Sequence, residues 1–141
     1  MANITADIVK ELRDKTGAGM MDCKKALTQS EGDIEKAIEF LRKSGIAKAE
    51  KKSGRATKEG KVFFQIEGNT AAMVEVLCET DFAASNEKFT TFVKDILART
   101  MKLSGNGDVT EKVQEAEKDN LVEKISVIGE NMQTRRAARW E

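Results

Sequence analysis

The spacing of apolar residues changes once along this 141-residue chain, and that change constrains its fold more than any other feature. Up to residue 45 the apolar positions recur every three or four residues, the period of an amphipathic α-helix. From Lys61 to Cys78 they alternate instead, which is the period of β-strands. Helices and strands segregated in this way are typical of the α+β class. The sequence therefore predicts a small helical bundle, a linker, and a small antiparallel sheet packed with helices.

Residues 1–45 are predicted to form a bundle of three short helices. Thr5 is suited to cap the first helix, because its hydroxyl can accept a hydrogen bond from a free N–H group at the helix start. The second helix is expected at about Met20–Gln29, and Asp33 is suited to cap the third. Gly45 is expected to end that third helix. The side chains predicted to form the core of the bundle are Ile8, Val9, Leu12, Cys23, Ala26, Leu27, Ile34, Ala37, Ile38 and Leu41.

Residues 46–60 break this pattern, because they are rich in lysine and have no convincing apolar face. They are interpreted as a solvated linker that is partly helical at its start. A basic tether for RNA is the alternative, since a run of charge by itself does not distinguish the two.

Residues 61–141 form the α+β part of the prediction. Two alternating runs flank Gly68-Asn69, a two-residue sequence typical of β-hairpin turns. Two amphipathic helices are expected next, and residues 131–136 are expected to start a third strand. The second strand carries Met73 and Leu77 opposite its other apolar side chains, so we expect the sheet to be covered on both faces. An exposed sheet edge is also expected, which would suit pairing with a second copy in a homodimer.

Missing residue types exclude several kinds of site. The chain has no histidine, so it lacks the usual base of nucleophilic triads and the commonest metal ligand. Cys23 and Cys78 stand alone, without the paired spacing of zinc sites or disulfide frameworks. Gly17-Ala18-Gly19 lacks the further glycines of a phosphate-binding loop. We therefore expect no enzyme, no metal and no cofactor. An active site built from carboxylates alone would need a pocket that raises their pKa, and the sequence does not indicate one.

Charge and hydropathy narrow the expected partners and location. The 24 basic side chains balance 24 acidic ones, and the sequence pI is about 6.4. A nucleic-acid-binding surface usually shows a dense basic stripe, so no direct nucleic-acid partner is expected. No apolar run approaches the ~20 residues of a membrane span, and no signal peptide is recognised at the start. These observations predict a cytoplasmic location without membrane contact.

Two short segments allow both a structural and a functional interpretation. Met20 and Met21 are adjacent, so both cannot face one small core. Either one is buried and the other simply exposed, or the flexible thioethers form a partner-binding surface. In Thr80-Asp81-Phe82 the carboxylate could serve a turn and the ring could fold onto the sheet. The alternative is a rigid aromatic wedge presented from the end of a strand.

Three separated motifs resemble the translation elongation factor Ts family. They are Thr16-Gly17-Ala18-Gly19-Met20-Met21-Asp22-Cys23-Lys24-Lys25-Ala26-Leu27, Cys78-Glu79-Thr80-Asp81-Phe82 and Ile128-Gly129-Glu130-Asn131. The likeness runs in register from Ile4 to about Arg136, which makes it highly specific. It implies that residues 1–45 are similar to a ubiquitin-associated three-helix module and that residues 61–141 are similar to the first half of the family's core.

The resemblance implies guanine-nucleotide exchange on elongation factor Tu, the GTPase that must release GDP after each delivery of aminoacyl-tRNA. By match, Phe82 would wedge between helices of the GDP-bound GTPase and so disturb its Mg²⁺ and phosphate site. Because Mg²⁺ neutralises phosphate charge, moving its surroundings loosens GDP. No covalent chemistry on this chain is implied. The other residues expected to contact the GTPase are Thr80, Asp81 and Ala83 beside the wedge, and Arg13, Met20, Met21, Lys24 and Ile128 elsewhere.

Two departures from the family pattern affect the expected activity. The family usually has valine where this chain has Ala83, a loss of two methyl-sized groups that is worth about 1–2 kcal/mol at a buried site. Family members normally continue into a second half of the core, so we expect a truncated or fragmentary factor that binds more weakly. The alternative function is an adaptor that binds a protein or RNA without exchanging nucleotide.

Overall fold

The computed structural model describes residues 3–141, which fall into two compact units. One unit ends at Lys51 and the other begins at Lys52. The chain is of the α+β class, as predicted, with helices first and an antiparallel sheet packed with helices after them. The elements are α1 (Ala6–Thr16), α2 (Met20–Gln29), α3 (Ile34–Lys52), β1 (Glu59–Glu67), β2 (Thr70–Cys78), α4 (Asp81–Ala84), α5 (Glu87–Met101), β3 (Gly107–Asp108), α6 (Thr110–Ile128) and β4 (Met132–Trp140).

The predicted capping residues begin and end the helices of the first unit. The hydroxyl of Thr5 accepts a hydrogen bond from the N–H of Ile8, and Gly17 ends α1 with a positive φ of 70°. The carboxylate of Asp33 accepts a hydrogen bond from the N–H of Lys36 and so caps α3. The three predicted helices are therefore confirmed, together with the buried core formed by Val9, Leu12, Cys23, Ala26, Leu27 and Ala37.

The predicted end of the third helix is wrong. Helix α3 continues through Gly45, which is buried, and ends at Lys52. A glycine inside a helix costs only about 1 kcal/mol relative to alanine, and Gly45 does not adopt the positive φ of a glycine that ends a helix. Lys48 lies in this extension and contacts Asp22 of α2 at 3.1 Å. Residues 46–52 are therefore helical, which agrees with the helical start expected of the linker, and residues 53–58 separate α3 from the sheet.

The sheet of the second unit has four antiparallel strands in the order β1-β2-β4-β3. The predicted hairpin is confirmed: Glu67 pairs with Thr70 across the turn at Gly68-Asn69. The strand expected to start within residues 131–136 is a nine-residue strand, Met132–Trp140, which pairs along β2. The two-residue strand β3 lies between α5 and α6 and pairs with β4.

The two faces of the sheet differ. One face buries Val74, Val76 and Cys78 in the part of the unit where α5 contributes Phe89 and Phe92. The prediction that helices or other segments cover the second face as well is wrong: among residues 3–141, large apolar side chains on that face remain exposed. Alternation shows that both faces of β2 carry apolar groups, but it does not specify what packs on each of them. The large side chains left exposed on this second face are Val62, Phe64, Ile66, Met73 and Trp140, and we call them the open sheet face.

Candidate functional site

Phe82 is the most prominent apolar side chain of the described surface. It lies in α4, a helix of only four residues, and its side chain is 85% exposed. The hydroxyl of Thr80 caps this helix by accepting a hydrogen bond from the N–H of Ala83 at 3.2 Å. Of the two interpretations of this segment, the one in which the ring folds back onto the sheet is wrong, because the helix directs the ring to the outside.

The carboxylate of Glu130 fixes the start of this turn. One of its oxygens accepts hydrogen bonds from the N–H groups of Glu79 and Thr80, each at 3.0 Å. The other oxygen accepts a hydrogen bond from the hydroxyl of Thr80 at 2.6 Å. Hydrogen bonds to an ionised acceptor are shorter and stronger than neutral ones. Three such bonds on one carboxylate hold the chain where β2 leads into α4.

In a second set of contacts, the carboxylate of Glu79 binds the segment that follows Glu130. The carboxylate of Glu79 accepts a hydrogen bond from the N–H of Asn131 at 2.9 Å and lies 3.6 Å from the guanidinium of Arg55. The side-chain amide of Asn131 donates to the carbonyl of Arg55 at 2.8 Å. Segments 79–80 and 130–131 therefore bind each other reciprocally, and we call this arrangement the glutamate clasp.

The neighbours of Phe82 differ in exposure. Asp81 is exposed, and its carboxylate accepts a hydrogen bond from the N–H of Phe82 at 2.9 Å. Ala83 is buried beneath the turn, so its methyl group supports Phe82 from inside the unit and does not belong to the exposed surface. Ile128 is half-buried at the end of α6, directly before Gly129, which has a φ of 84°.

Cys78 lies under the same turn as a neutral thiol. It is fully buried, and its Sγ donates to the carbonyl of Thr80 at 3.3 Å. Burial, reinforced by the negative charge of Glu130, raises the pKa of Cys78 to about 11. Because the thiolate is the reactive form, Cys78 is suited to packing and not to nucleophilic chemistry.

The first unit has its own exposed group at the start of α2. Both Met20 and Met21 are exposed, at 58% and 75%, so of the two interpretations the one that buries one of them is wrong. Lys24 is also exposed and lies one helical turn further along, three and four residues from the two methionines. Arg13 is exposed at the end of α1, and its charge acts on the buried Cys23, whose pKa is nonetheless raised because burial has the larger effect.

Two kinds of feature are absent from residues 3–141. These residues contain no group of three or more His, Cys, Asp or Glu side chains that could hold a metal ion. None of the helices described is both long and apolar enough to cross a membrane.

Sequence reasoning did not identify the clasp. Glu79 and Glu130 both belong to quoted motifs, but they lie 51 residues apart and nothing in the pattern links them. The available signal was indirect: Glu79 adjoins Thr80 after β2, and Glu130 lies two residues after Ile128 at the end of α6, and both Thr80 and Ile128 are predicted site residues.

The fold and the site together define a class: an α+β protein of two units whose candidate site is an exposed aromatic turn. Residues 79–141, which include the turn and most of the clasp, match the family model described as "Elongation factor TS". This match agrees with the motifs in the sequence that resemble the elongation factor Ts family.

Individual relatives extend this likeness over nearly all of the chain. The chain is 52% identical to elongation factor Ts of Maricaulis maris, over 98% of the chain and 46% of that protein. It is 51% identical to the protein of the same name from Methylobacterium sp. (strain 4-46), over 98% of the chain and 47% of the relative. For Pediococcus pentosaceus elongation factor Ts the identity is 48%, over 100% of the chain and 50% of the relative. The chain spans about half the length of the curated relatives it matches.

Proposed function

We propose that this chain is a guanine-nucleotide exchange factor of translation that binds GDP-bound elongation factor Tu and promotes release of GDP. The observation that supports this most strongly is Phe82, exposed by 85% on a turn that hydrogen bonds hold in place. An exposed phenylalanine leaves roughly 1.5–3 kcal/mol of burial energy to be gained when a partner covers it. A turn that is ordered before binding also loses less entropy when the complex forms.

In this proposal Phe82 is a wedge. Its ring inserts between helices of the GTPase, and the exposed carboxylate of Asp81 lies beside it. The insertion moves the groups around Mg²⁺ and the GDP phosphates, which weakens GDP binding. Because coupling between two ligands is reciprocal, GDP weakens the binding of this chain to the same extent. Abundant GTP then displaces the chain, and no covalent step takes place on it.

The remaining proposed contacts are the exposed group of the first unit and the end of α6. Met20 and Met21 offer flexible thioethers, which adapt to a helix on the partner. Arg13 and Lys24 add positive charge nearby. Ile128 contributes an apolar contact, whereas the buried Ala83 supports the wedge from below. The proposal includes no direct contact with nucleic acid, and it assigns the activity to the cytoplasm, where translation takes place.

The test is release of a fluorescent GDP analogue from elongation factor Tu. We expect the unmutated chain to accelerate release and Phe82→Ala to reduce this acceleration by at least tenfold. The stability of the chain should change little, since the ring is exposed and makes few internal contacts. Ile46→Ala is the matched control, because it truncates an exposed apolar side chain of α3 that has no assigned role. An unmutated chain that binds without accelerating release would contradict the exchange proposal.

That contradictory result would favour the adaptor function. An adaptor binds the GTPase or another protein and tolerates Phe82→Ala. An RNA-binding adaptor would instead show binding that falls steeply with salt, because phosphate contacts release counterions. Measuring binding at two salt concentrations separates these two adaptors.

We also propose that the sheet mediates a homodimer. β1 is an edge strand, and the open sheet face next to that edge displays five large apolar side chains. Contiguous apolar patches above a few hundred Å² are uncommon on monomeric proteins and usually mark interaction sites. The exposed face therefore offers more apolar contact than the edge alone.

A further inference from the structure

We propose that Glu130 is a positioning residue for exchange: its carboxylate sets the turn that displays Phe82, and the activity depends on Glu130 through that ring. This inference rests on the function proposed above. Glu130 is half-buried and holds the two residues that precede α4. No expectation from the sequence gave this residue a role.

Helix α4 needs support from outside itself. It contains only four residues, and a single helical turn is unstable in water without tertiary contacts. The Asp81 carboxylate accepts a hydrogen bond from the N–H of the next residue, Phe82. The N–H groups of Glu79 and Thr80 lie just before the helix, and both bond to Glu130. The direction in which the chain enters α4 is therefore set by a carboxylate that lies 50 residues further along the sequence.

Glu130 also acts on the capping hydroxyl. Thr80 Oγ1 donates its proton to Glu130 at 2.6 Å and accepts a hydrogen bond from the N–H of Ala83 at 3.2 Å. A hydroxyl has one proton, so donation to Glu130 turns a lone pair toward Ala83. Without the carboxylate, the hydroxyl can rotate and the cap on the helix that carries Phe82 weakens.

The position of Glu130 is itself well defined. The preceding residue, Gly129, ends α6 with its N–H bonded to the carbonyl of Ile125 at 2.9 Å. The following residue, Asn131, is bound to Glu79 through its backbone and to Arg55 through its side chain. Glu130 is therefore fixed from both sides, which a residue must be if it is to position another.

The first experiment measures the turn without any GTPase. In the full chain, we expect Glu130→Ala to accelerate amide hydrogen exchange at Glu79, Thr80 and Ala83 by at least tenfold, while the amides of α5 keep their protection. Glu130→Gln retains one oxygen that can accept the two backbone bonds, so a smaller acceleration is expected. It also provides a folded variant if the alanine variant does not fold. Unchanged exchange at these amides in both variants would overturn the proposal.

The second experiment separates positioning from general stability by a double-mutant cycle. We expect Glu130→Ala to reduce the acceleration of GDP release about tenfold in the unmutated chain and less than twofold in Phe82→Ala. A merely structural role would give the same loss in both backgrounds, and that result would overturn the proposal. Glu123→Ala, an exposed glutamate of α6, is the matched control. If the unmutated chain does not accelerate release, the exchange function fails, while the amide measurement still tests the positioning.

Discussion

The guanidinium of Arg99 on α5 donates two hydrogen bonds to the carboxylate of Glu117 on α6, at 2.8 and 2.6 Å. Glu117 is only 2% exposed, and Asn120 donates a third hydrogen bond to it at 3.2 Å. A buried carboxylate is tolerated when it is paired and hydrogen-bonded in this way. The pair links the two long helices of the second unit.

Removing Arg99 should therefore destabilise the second unit. Arg99→Ala leaves the carboxylate of Glu117 buried without its cation, and we expect a loss of about 2–3 kcal/mol in the free energy of unfolding. Arg99→Lys keeps the charge but not the two-pronged geometry, so it should lose less. Urea denaturation measures the loss of unfolding free energy in each variant. The control Arg135→Ala removes an exposed arginine and should change stability by less than about 0.5 kcal/mol; equal losses in the two alanine variants would contradict the assignment.

Gly60 should not tolerate a side chain. A Cβ atom there would overlap the carbonyl oxygen of Val76 and lie 2.9 Å from the Cα of Leu77, both on the paired strand β2. Because backbone cannot move aside cheaply, we expect Gly60→Ala to cost about 2–4 kcal/mol of stability. Gly54→Ala is the control, since nothing lies within 4 Å of its added Cβ. The measurement is the midpoint of thermal unfolding of each variant. Equal midpoints for Gly60→Ala and Gly54→Ala would contradict the expected clash.

Cys78 should make stability depend on alkaline pH. Its pKa is raised by burial to about 11 in the folded chain, against an ordinary value of 9.0. Between these values the unfolded chain loses the thiol proton and the folded chain keeps it. Deprotonation therefore favours unfolding, and stability should fall as pH rises from about 9 to 11. Below pH 9 this contribution is fully present.

The control for that pH dependence is Cys78→Ala. It removes the titrating group, so its unfolding free energy should fall less than that of the unmutated chain over the same pH interval. Denaturant titrations at pH 8, 9 and 10 measure the difference. Parallel curves for the two proteins would show that Cys78 titrates normally.

Self-association should depend on the open sheet face. Phe64 is 67% exposed and pairs with Met73 across β1 and β2, near the middle of that face. Phe64→Glu places a charge where a second copy would bury an apolar ring, so dimerisation should weaken at least tenfold in analytical ultracentrifugation. Phe82→Glu alters a still more exposed phenylalanine that does not belong to the open sheet face, and it should leave the dimer intact. A chain that is monomeric before mutation would contradict the homodimer proposal.

Local signals predicted the elements of this fold well. Thr5 and Asp33 cap helices where expected, and α2 has the predicted bounds. Gly68-Asn69 makes the predicted hairpin turn. Each of these features depends on contacts between residues only a few positions apart, so a short stretch of sequence contains the necessary information. The predicted helix end at Gly45 was wrong because glycine only weakly disfavours the interior of a helix. Helix α3 continues through this buried glycine.

Long-range contacts decided what the pattern left open. Met73 is an apolar residue within the alternating pattern of strand β2, yet its side chain is exposed. Its burial depends on whether another layer of the fold covers that face of the sheet. Phe82 could equally have folded inward, and its direction follows from the helix that Thr80 caps. The bonds that hold Thr80 come from Glu130, 50 residues away.

By itself, the sequence determined the period of each segment, the caps and turns, the buried stripes of the helices and the resemblance to the elongation factor Ts family. Those properties follow from side-chain chemistry and from backbone preferences over a few residues. The tertiary structure decided which apolar face remains open, that both Met20 and Met21 are exposed, and that Glu79 and Glu130 bind each other's segments. These three features depend on which distant segments the folded chain brings together. The hydrogen bonds and the burial that stabilise such an arrangement form only when those segments are in contact.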